Sequence, residues 1–402
     1  MDNNYSLISS GAVPEDIQVL RSVTVGLDTI SDFYSKYYLN EYIKDGGSKI
    51  KFITGKRGAG KSHLLSLLRA DAEDAGFIVV PLSAATFKLN DITLLYKTLI
   101  AILDIESLTR RLAQKVAEEL GCPDYREGYL LECLLTKTNN IALARQEIRS
   151  VLRKYFSGNP YMDRNFANVL ECIIAERLGM AKSTDEERSL MISWLHGETI
   201  KARLLRSVGL APYSIKKQNA RSMLSSISEM VHLAGYSGFF VTIDDLDFLM
   251  STSPINEVKY TRMQRDDAYE NIRQLIDDID CNRFVMYVFA FDQSMVDDDA
   301  KGLKSYQALW ARIQNLMTGQ RLNLFSDMIN LDDANQQLYT QEAVVEMSKR
   351  LASLVSSSDI QVHAVTEEEA DNLIEKAKFG DTSLPLLINR ATFKLSRRNN
   401  DV

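Results

Sequence analysis

A glycine-rich segment between a predicted strand and a predicted helix constrains the fold of this chain more than any other feature. Residues 55–62 read GKRGAGKS and fit the pattern GxxxxGK[ST]. The segment follows an apolar run containing Ile50, Phe52 and Ile53, and it precedes a helical pattern of leucines. Backbone N–H groups can wrap a polyphosphate closely only where side chains are as small as glycine. The segment therefore predicts a phosphate-binding loop in an α/β domain with a parallel sheet.

The positions of this loop have separate expected roles in holding a nucleoside triphosphate. Lys61 supplies a point charge that can reach the β- and γ-phosphates, and Ser62 offers a hydroxyl to Mg²⁺. The helix that starts here directs its positive dipole end at the anion. The predicted nucleotide-binding residues are Gly55, Lys56, Arg57, Gly58, Ala59, Gly60, Lys61, Ser62 and His63. The alternative is a glycine-rich turn that fits the pattern by chance.

A second apolar run ends in the acidic residues that such a site requires. The predicted strand 239–243 is followed by Asp244 and Asp245. One carboxylate at a strand end can orient Mg²⁺, and its neighbour can polarise the water that attacks the γ-phosphate. We assign Asp244 to the metal and Asp245 to the water, with Asp247 as the alternative base. Many strands end in polar residues without such a role, so the assignment depends on the phosphate loop.

The distance between these two segments indicates a long insertion. Ser62 and Asp244 are 182 residues apart, whereas a strand–helix–strand unit needs about 30. The intervening apolar residues follow a helical period. The predicted helices are 91–103, 108–120, 141–156, 165–178, 189–210 and 214–234, with loops at 158–160 and 182–187.

The remaining segments continue an alternating α/β pattern. Strand 77–81 follows the helix 61–75, and we expect it to pair in parallel with the strand at 50–53 through a right-handed crossover. Further predicted strands are 284–291 and 328–331. Other predicted helices are 16–43, 266–279, 306–316, 340–354, 383–395 and one that opens with a capping box at 366–369, after a loose arm at 1–15.

Four tyrosines in the first predicted helix have two interpretations. Tyr34, Tyr37, Tyr38 and Tyr42 are close in sequence. They either form a platform on which adenine stacks or pack in the core, and core packing is the favoured interpretation.

Composition is that of a globular protein without a membrane span. Hydrophobic residues make up 45% and charged residues 25% of the chain, and no uncharged apolar run approaches the ~18 residues of a span. The amino terminus lacks a secretory pattern, and four scattered cysteines are expected to be buried and reduced. We therefore expect a cytoplasmic location and no membrane contact. The net charge of −7 argues against a surface covered in positive charge, so binding to nucleic acid would need a local basic face.

Several blocks of sequence together resemble the ATP-binding proteins of bacteriophage-exclusion (BREX) loci and their relatives. The blocks are 46–53, 194–198 with 209–210, 234–238 leading into 244–245, and 304–309 with Arg312. The resemblance spans residues 20–335. It implies an AAA+-like ATPase of the origin-recognition or STAND type that binds ATP and Mg²⁺. It also implies a parallel sheet with an additional strand and a C-terminal helical lid.

The resemblance implies a division of the chain and further site residues. The expected units are an N-terminal arm and helix (1–48), a divided core (49–90 and 235–335), a helical insertion (91–234) and a lid (336–402). Arg312 resembles the arginine that such ATPases present to a neighbouring subunit, although a surface arginine on an amphipathic helix is the alternative. Arg390 lies where the lid's sensor arginine is expected, without the usual adjacent proline.

Two positions at strand ends have further expected roles. Asp292 or Gln293, at the end of the strand 284–291, is a candidate γ-phosphate sensor, and a strand-end cap is the alternative. Relatives more often place glutamate at the position of Asp245, so a shorter arm predicts slow hydrolysis or a nucleotide-sensing switch. Residues 243–247 also resemble KAP-type P-loop ATPases, which usually carry membrane segments.

Three functions fit these features. The first is a Mg²⁺-ATP-dependent switch or motor in an antiviral defence complex, hydrolysing ATP at subunit interfaces of a homo- or hetero-oligomer. The second is a non-catalytic nucleotide-binding scaffold that recruits a helicase, nuclease or other effector. A small-molecule kinase is the third, without a motif for an acceptor pocket. DNA is a possible partner, through Lys394, Arg397 and Arg398 or through Arg149, Arg153 and Lys154.

Overall fold

A five-stranded parallel sheet forms the centre of the molecule. The computed structural model describes residues 12–251, 258–314, 322–354 and 362–393. The strands are β1 (Ser48–Gly55), β2 (Phe77–Ser83), β3 (Gly238–Asp244), β4 (Val285–Asp292) and β5 (Met328–Asn330). They lie in the order β2-β3-β4-β1-β5. The α/β class with a parallel sheet is thus confirmed.

The sheet order corrects the expected pairing of the first two strands. β1 pairs with β4 and β5, whereas β2 pairs with β3. The strand–helix–strand pattern predicts that β1 and β2 are parallel, but it does not specify that they are neighbours. β4 pairs with β1 from Ser48 to Gly55 and with β3 on its other side, so both later strands separate β1 from β2.

Helices surround the sheet and make up most of the chain between β2 and β3. The helices are α1 (Ile17–Val23), α2 (Leu27–Phe33), α3 (Lys61–Asp74), α4 (Ile92–Ala101), α5 (Ile105–Glu119), α6 (Leu130–Thr138), α7 (Ile141–Tyr155), α8 (Arg164–Arg177), α9 (Asp185–Leu195), α10 (Ala202–Ser207), α11 (Ala220–Leu233), α12 (Arg262–Asp277), α13 (Ser294–Asp297), α14 (Gln307–Ile313), α15 (Leu331–Leu338), α16 (Gln341–Ser353), α17 (Glu367–Phe379) and α18 (Leu384–Thr392). A π-helix (Tyr34–Ile43) follows α2 directly, and short 3₁₀ turns occupy Leu246–Met250, Ile279–Cys281 and Leu303–Ser305.

The expected single helix over residues 16–43 is wrong. α1 ends before Thr24, which is extended, and Gly26 adopts a φ of 82°. A positive φ is accessible to glycine but interrupts a right-handed helix, so a turn separates α1 from α2. This turn matters for function, because it lies beside the phosphate loop.

Two other expectations about the helices need correction, and two helices were not predicted. The predicted helix 189–210 is broken at Gly197, which has a φ of 77°. The predicted loop 182–187 ends early, because Thr184 and Glu187 form a capping box that starts α9. Helices α6 and α15 were not expected from the sequence. The capping box at Thr366 is confirmed.

Alternate residues of the strands face two separate apolar layers. Phe52, Phe239 and Phe289 belong to a core shared with helices α4–α11, which we call the helical insertion. Ile53 and Phe240 belong to the opposite core, shared with α3 and the N-terminal helices. Because strands of a parallel sheet are buried on both faces, their sequences are nearly continuously apolar. A third cluster joins helices α16–α18, which we call the lid.

The cysteines differ from the sequence expectation, and three of the predicted DNA-binding residues lie outside the described ranges. Cys122 is buried, but Cys172 and Cys281 are exposed, so the expectation that all four thiols are buried is wrong. Lys394, Arg397 and Arg398 lie outside the described residues. Within the described ranges, no helix is both long enough and apolar enough to cross a membrane.

Candidate functional site

The loop between β1 and α3 wraps its backbone around an open concavity. Gly58 and Gly60 have φ values of 83° and 99°, a region that L side chains rarely adopt. A Cβ on Gly58 would lie 2.7 Å from the Leu386 Cβ, and one on Gly60 would lie 2.9 Å from the Leu27 Cδ1. Glycine is therefore required both by the backbone conformation and by the neighbouring helices.

The fold brings Lys61, Ser62 and Asp244 together although they lie far apart in sequence. The Lys61 ammonium donates to the carbonyl oxygens of Gly55 (2.7 Å) and Lys56 (3.1 Å). The Ser62 hydroxyl donates to Asp244 Oδ2 at 2.7 Å. Asp244 ends β3, next to β4 in the sheet, so its carboxylate faces the first turn of α3. The arrangement places a cation, a hydroxyl and a carboxylate at one edge of the sheet.

Burial disfavours the charged form of the carboxylates at this edge. Burial raises the pKa of Asp244, and the neighbouring charge of Asp245 raises it further. Burial also raises the pKa of Asp247, whose Oδ1 accepts a hydrogen bond from the Asp292 N–H at 3.0 Å. Asp292 itself lies 3.7 Å from the Lys61 ammonium. Such a concentration of partly buried acids is stabilised by a bound cation.

Asp245 is held in an unusual conformation. Its φ is 56°, and its Oδ2 accepts a hydrogen bond from the Ser83 hydroxyl at 2.6 Å. Ser83 ends β2, opposite Asp244 in the register of the sheet. The carboxylate assigned to the attacking water is therefore anchored to the strand that leads into the helical insertion.

A cavity of about 980 Å³ opens above the loop. Its polar wall includes Arg57, Lys61, Asp245 and Asp292. Apolar lining residues come from the α1–α2 turn, from Tyr339 and from the lid, and they are Val23, Val25, Leu27, Tyr339, Met347, Leu351, Pro385 and Leu386. A lining with both polar and apolar parts suits a ligand with a phosphate end and an aromatic base.

His63 lines the same cavity as a neutral side chain. Burial lowers the pKa of His63 to about 4. Its Nε2 lies 2.7 Å from Thr24 Oγ1, which donates to the Leu20 carbonyl oxygen at 2.8 Å. The hydroxyl therefore accepts from Nε2–H, which fixes the tautomer. His63 thus joins α3 to the α1–α2 turn.

The loop is also tied to the lid. Lys56 Nζ donates to the Gly380 carbonyl oxygen at 2.8 Å, at the C-terminal end of α17. The Ser383 hydroxyl donates to the Arg57 carbonyl oxygen at 3.2 Å. A cation is favourable at a helix C-terminus. The Lys56 ammonium thus contacts the lid, and Lys56 is absent from the cavity lining.

The other predicted site residues lie in different surroundings. Gln293 Oε1 accepts from Thr54 and Asn330, whereas Asp292 lines the cavity and also caps the Ser294 N–H at 3.0 Å. The first alternative for the four tyrosines, an adenine platform, has no support, because none of them lines the cavity. Tyr34 and Tyr38 are instead buried in the core.

The two predicted arginines are not brought to this cavity. Arg312 contacts Asp277 through two nitrogens, at 3.0 and 3.1 Å. Arg390 is exposed on α18, one position after Asn389, which lines the cavity. Their roles stay predictions.

Sequence reasoning missed several residues that shape the site. Asp332 Oδ2 accepts from the Lys56 N–H at 2.6 Å, and Asn335 donates to the Ala59 carbonyl oxygen at 3.1 Å. Both belong to α15, which carries no motif. Arg69 Nε donates to Thr242 Oγ1 at 2.7 Å, and burial lowers the pKa of Arg69 despite the carboxylates near it. Ser83 was missed as well, because the predicted strand stops at residue 81 whereas β2 continues to Ser83.

The residues present fit ATP and a divalent cation. The cradle admits no Cβ at Gly58, the carboxylate of Asp244 is partly buried, and the Ser62 hydroxyl lies beside it. The described residues contain no group of three or more His, Cys, Asp or Glu that could hold an ion alone. One or two protein ligands suit Mg²⁺, which usually completes its coordination with water and phosphate oxygens.

Comparison with known proteins agrees with the ATP site. The family described as "BREX system ATP-binding protein BrxC/D" matches residues 5–385. Searches of curated proteins and of solved structures found no match to this chain. Because the match covers nearly the whole chain, the protein belongs to the BREX system ATP-binding protein BrxC/D family.

Proposed function

We propose that this ATP-binding protein of the BREX anti-phage system hydrolyses Mg²⁺-ATP and acts as an AAA+-like switch or motor within a defence complex. The observation that carries the proposal is the contact at 2.7 Å between Ser62 and Asp244, which together with Lys61 line the cavity. The order of the sheet supports the additional-strand type, because β4 lies between the loop strand β1 and the carboxylate strand β3.

The chain's own groups divide the work of hydrolysis. Ser62 and Asp244 would hold Mg²⁺, which neutralises phosphate charge when bound. Lys61 binds the β- and γ-phosphates, and loop N–H groups orient them. Asp245 accepts a proton from the attacking water. The water oxygen bonds to the γ-phosphorus, and the bond between the γ-phosphorus and the oxygen that bridges to the β-phosphate breaks.

An ATP-binding titration and a phosphate-release assay on four variants test this assignment. Lys61→Ala should abolish nucleotide binding, with the exposed Lys182→Ala as a matched control. Asp245→Asn should retain ATP and slow turnover by about 10²–10⁴-fold, the usual contribution of a general base. If Asp247→Asn has the larger effect, Asp247 is the base. Equal, unimpaired turnover in the Lys61 and Asp245 variants would refute hydrolysis at this site.

Arg312 and the subunit interface need a test in which two variants are mixed. If Arg312 acts on a neighbouring subunit, Arg312→Ala and Lys61→Ala proteins should each be inactive alone and regain activity when mixed. Asp277→Asn controls for loss of the ion pair within the chain. No recovery in the mixture, together with the same elution volume with and without ATP, would favour the non-catalytic scaffold that recruits an effector.

A further inference from the structure

Helix α7 of the helical insertion exposes an evenly spaced row of arginines. Arg145, Arg149 and Arg153 are all exposed. The helix is held in place on its other side by Ala144, Ile148, Val151 and Leu152, which are buried. Residues four apart lie on the same side of a helix at intervals of about 6 Å, so the row is about 12 Å long. We call these three side chains the arginine row.

The charges of this row are uncompensated by contacts in the described parts of the chain. None of the three guanidinium groups forms an ion pair there, whereas Lys154, on another side of α7, contacts Glu119 at 2.6 Å. The only carboxylate on α7, Glu147, is partly buried. Like charges four residues apart destabilise a helix. A chain with a net charge of −7 therefore retains a locally unfavourable positive row.

The chemistry of the row favours a phosphodiester backbone over a protein or membrane partner. Gln146 and Ser150 are exposed among the arginines, and exposed apolar residues of α7, Ile141 and Leu143, are confined to its first turn. Protein interfaces depend on a cluster of apolar or aromatic anchors, whereas this side of α7 offers only Ile141, at the end of the row. Basic segments that bind anionic membranes carry about four to eight Lys or Arg residues, more than this row has. Guanidinium groups bind phosphate oxygens in a bidentate manner.

We propose that the arginine row of α7 binds the backbone of duplex DNA. A 12 Å length of duplex carries about seven phosphate charges, enough for one contact per arginine. Single-stranded nucleic acid is bound largely by stacking on aromatic rings. Tyr155, the one aromatic residue of α7, is half-buried and its hydroxyl contacts Glu119, so duplex is the better fit.

The test measures binding of a fluorescein-labelled 30-base-pair DNA by anisotropy across a range of salt concentrations. It is run without nucleotide, with ATP and Mg²⁺, and with ATP and EDTA. The slope of log K against log salt is negative, and replacing all three arginines by glutamine should reduce its magnitude by about 2.7, since each B-DNA contact contributes about 0.9. With equal affinities at 1 M salt, this corresponds to a loss of about 500-fold at 0.1 M salt. Arg149→Gln alone should reduce the magnitude of the slope by about 0.9.

A matched variant removes the same charge elsewhere. Lys201, Arg203 and Arg206, at and within α10, are also exposed and form no ion pair with described residues. Replacing these three by glutamine should leave DNA affinity within about threefold of the wild type. Equal losses in both triple variants would mean that only total charge matters and would overturn the proposal. So would an unchanged triple variant of the row.

Additional ligands separate the possible partners. A 30-base-pair RNA duplex and a single strand of the same length should bind more weakly than duplex DNA. Wild-type binding to phosphatidylserine vesicles but to no nucleic acid would overturn the proposal. The triple variant should retain ATP affinity and its unfolding curve. Because binding is also measured without ATP turnover, failure here is distinguishable from failure of the proposed ATPase activity.

Discussion

Replacing Asp244 by asparagine should stabilise the nucleotide-free protein while removing its response to Mg²⁺-ATP. Most substitutions destabilise by about 1 kcal/mol, so the expected sign is unusual. It follows from the burial that raises the pKa of Asp244. A carboxyl whose pKa is higher in the folded chain binds more protons there, so stability falls as pH rises from the ordinary carboxyl pKa through the folded value. At neutral pH the ionised carboxylate lowers the free energy of unfolding, and asparagine removes this destabilisation.

The hydrogen bonds at this position survive the substitution. Asp244 Oδ1 accepts from the Asp245 N–H at 2.8 Å, and Oδ2 accepts from Ser62. Asparagine keeps one oxygen for the N–H, and its amide can donate to the Ser62 hydroxyl instead. We expect the free energy of unfolding to increase by about 0.5–2 kcal/mol, as is common when a residue required for function is replaced by one that suits the folded state better.

The ligand response should change in the opposite direction. At a Mg²⁺-ATP concentration of 100 Kd, the wild type gains about 2.7 kcal/mol by mass action. Without the carboxylate that orients Mg²⁺, the Asp244→Asn protein should lose most of this gain, and its response with Mg²⁺ should approach that with EDTA.

Urea unfolding at pH 7 and pH 5, with and without Mg²⁺-ATP, measures both effects. The advantage of the variant should be smaller at pH 5 than at pH 7, because the raised pKa of Asp244 favours its protonated form as the pH falls. Asp298→Asn is the control of opposite sign, because the N–H groups of Lys301 and Ala300 hold the pKa of Asp298 below its usual range. A variant at Asp244 that is less stable than the wild type without ligand would refute the reasoning.

Two other substitutions test the loop and the buried cation beneath it. Gly58→Ala should weaken ATP binding about tenfold in calorimetry, because a left-handed conformation costs an L residue about 1–2 kcal/mol and the new Cβ meets Leu386. Adding Leu386→Ala to the same chain should recover part of the lost affinity, and no recovery would contradict a role for this contact. Burial lowers the pKa of Lys51 to about 8, so the folded chain binds fewer protons and the wild-type free energy of unfolding should rise between pH about 8 and 10.5. That rise should be missing in Lys51→Met, and an identical pH profile in both proteins would contradict the burial argument.

The parts of the site that the sequence predicts are those fixed by local structure. The glycines of residues 55–62 require a particular backbone conformation, and a strand followed by Asp244 places that residue at the edge of the sheet. Because all strands are parallel, the carboxyl ends that carry Lys61 and Asp244 share one edge whatever lies between them. This is why a separation of 182 residues does not hide the pair.

The parts that the sequence does not predict depend on which elements become neighbours. Ser83 reaches Asp245 only because β2 pairs with β3, and the expected pairing of β1 with β2 concealed that contact. Asp332 and Gly380 bind Lys56 from helices distant in sequence, without any local signal. Lys51 shows the limit most clearly. A lysine in an apolar strand predicts an exposed side chain, but carbonyl oxygens of residues 325 and 326 and Tyr38 surround its ammonium.

The position of Ser83 also connects the two proposals. The helical insertion leaves the sheet directly after Ser83 and returns to β3, which ends at Asp244. The Ala84 N–H donates to the Asp244 carbonyl oxygen at 2.9 Å, so both ends of this connection contact the nucleotide site.

ATP and DNA binding are coupled if both ligands favour the same arrangement of these strands. The factor by which ATP changes the affinity for DNA must then equal the factor by which DNA changes the affinity for ATP, and we call it the coupling factor. Ser83→Ala removes the hydrogen bond to Asp245 but leaves the arginine row and the phosphate loop intact. We therefore expect Ser83→Ala to reduce this factor. The affinity for ATP alone and the affinity for DNA alone should each stay within about threefold of the wild type, which corresponds to a free-energy change well under 1 kcal/mol. A factor unchanged by Ser83→Ala would mean that the two sites communicate, if at all, without this hydrogen bond.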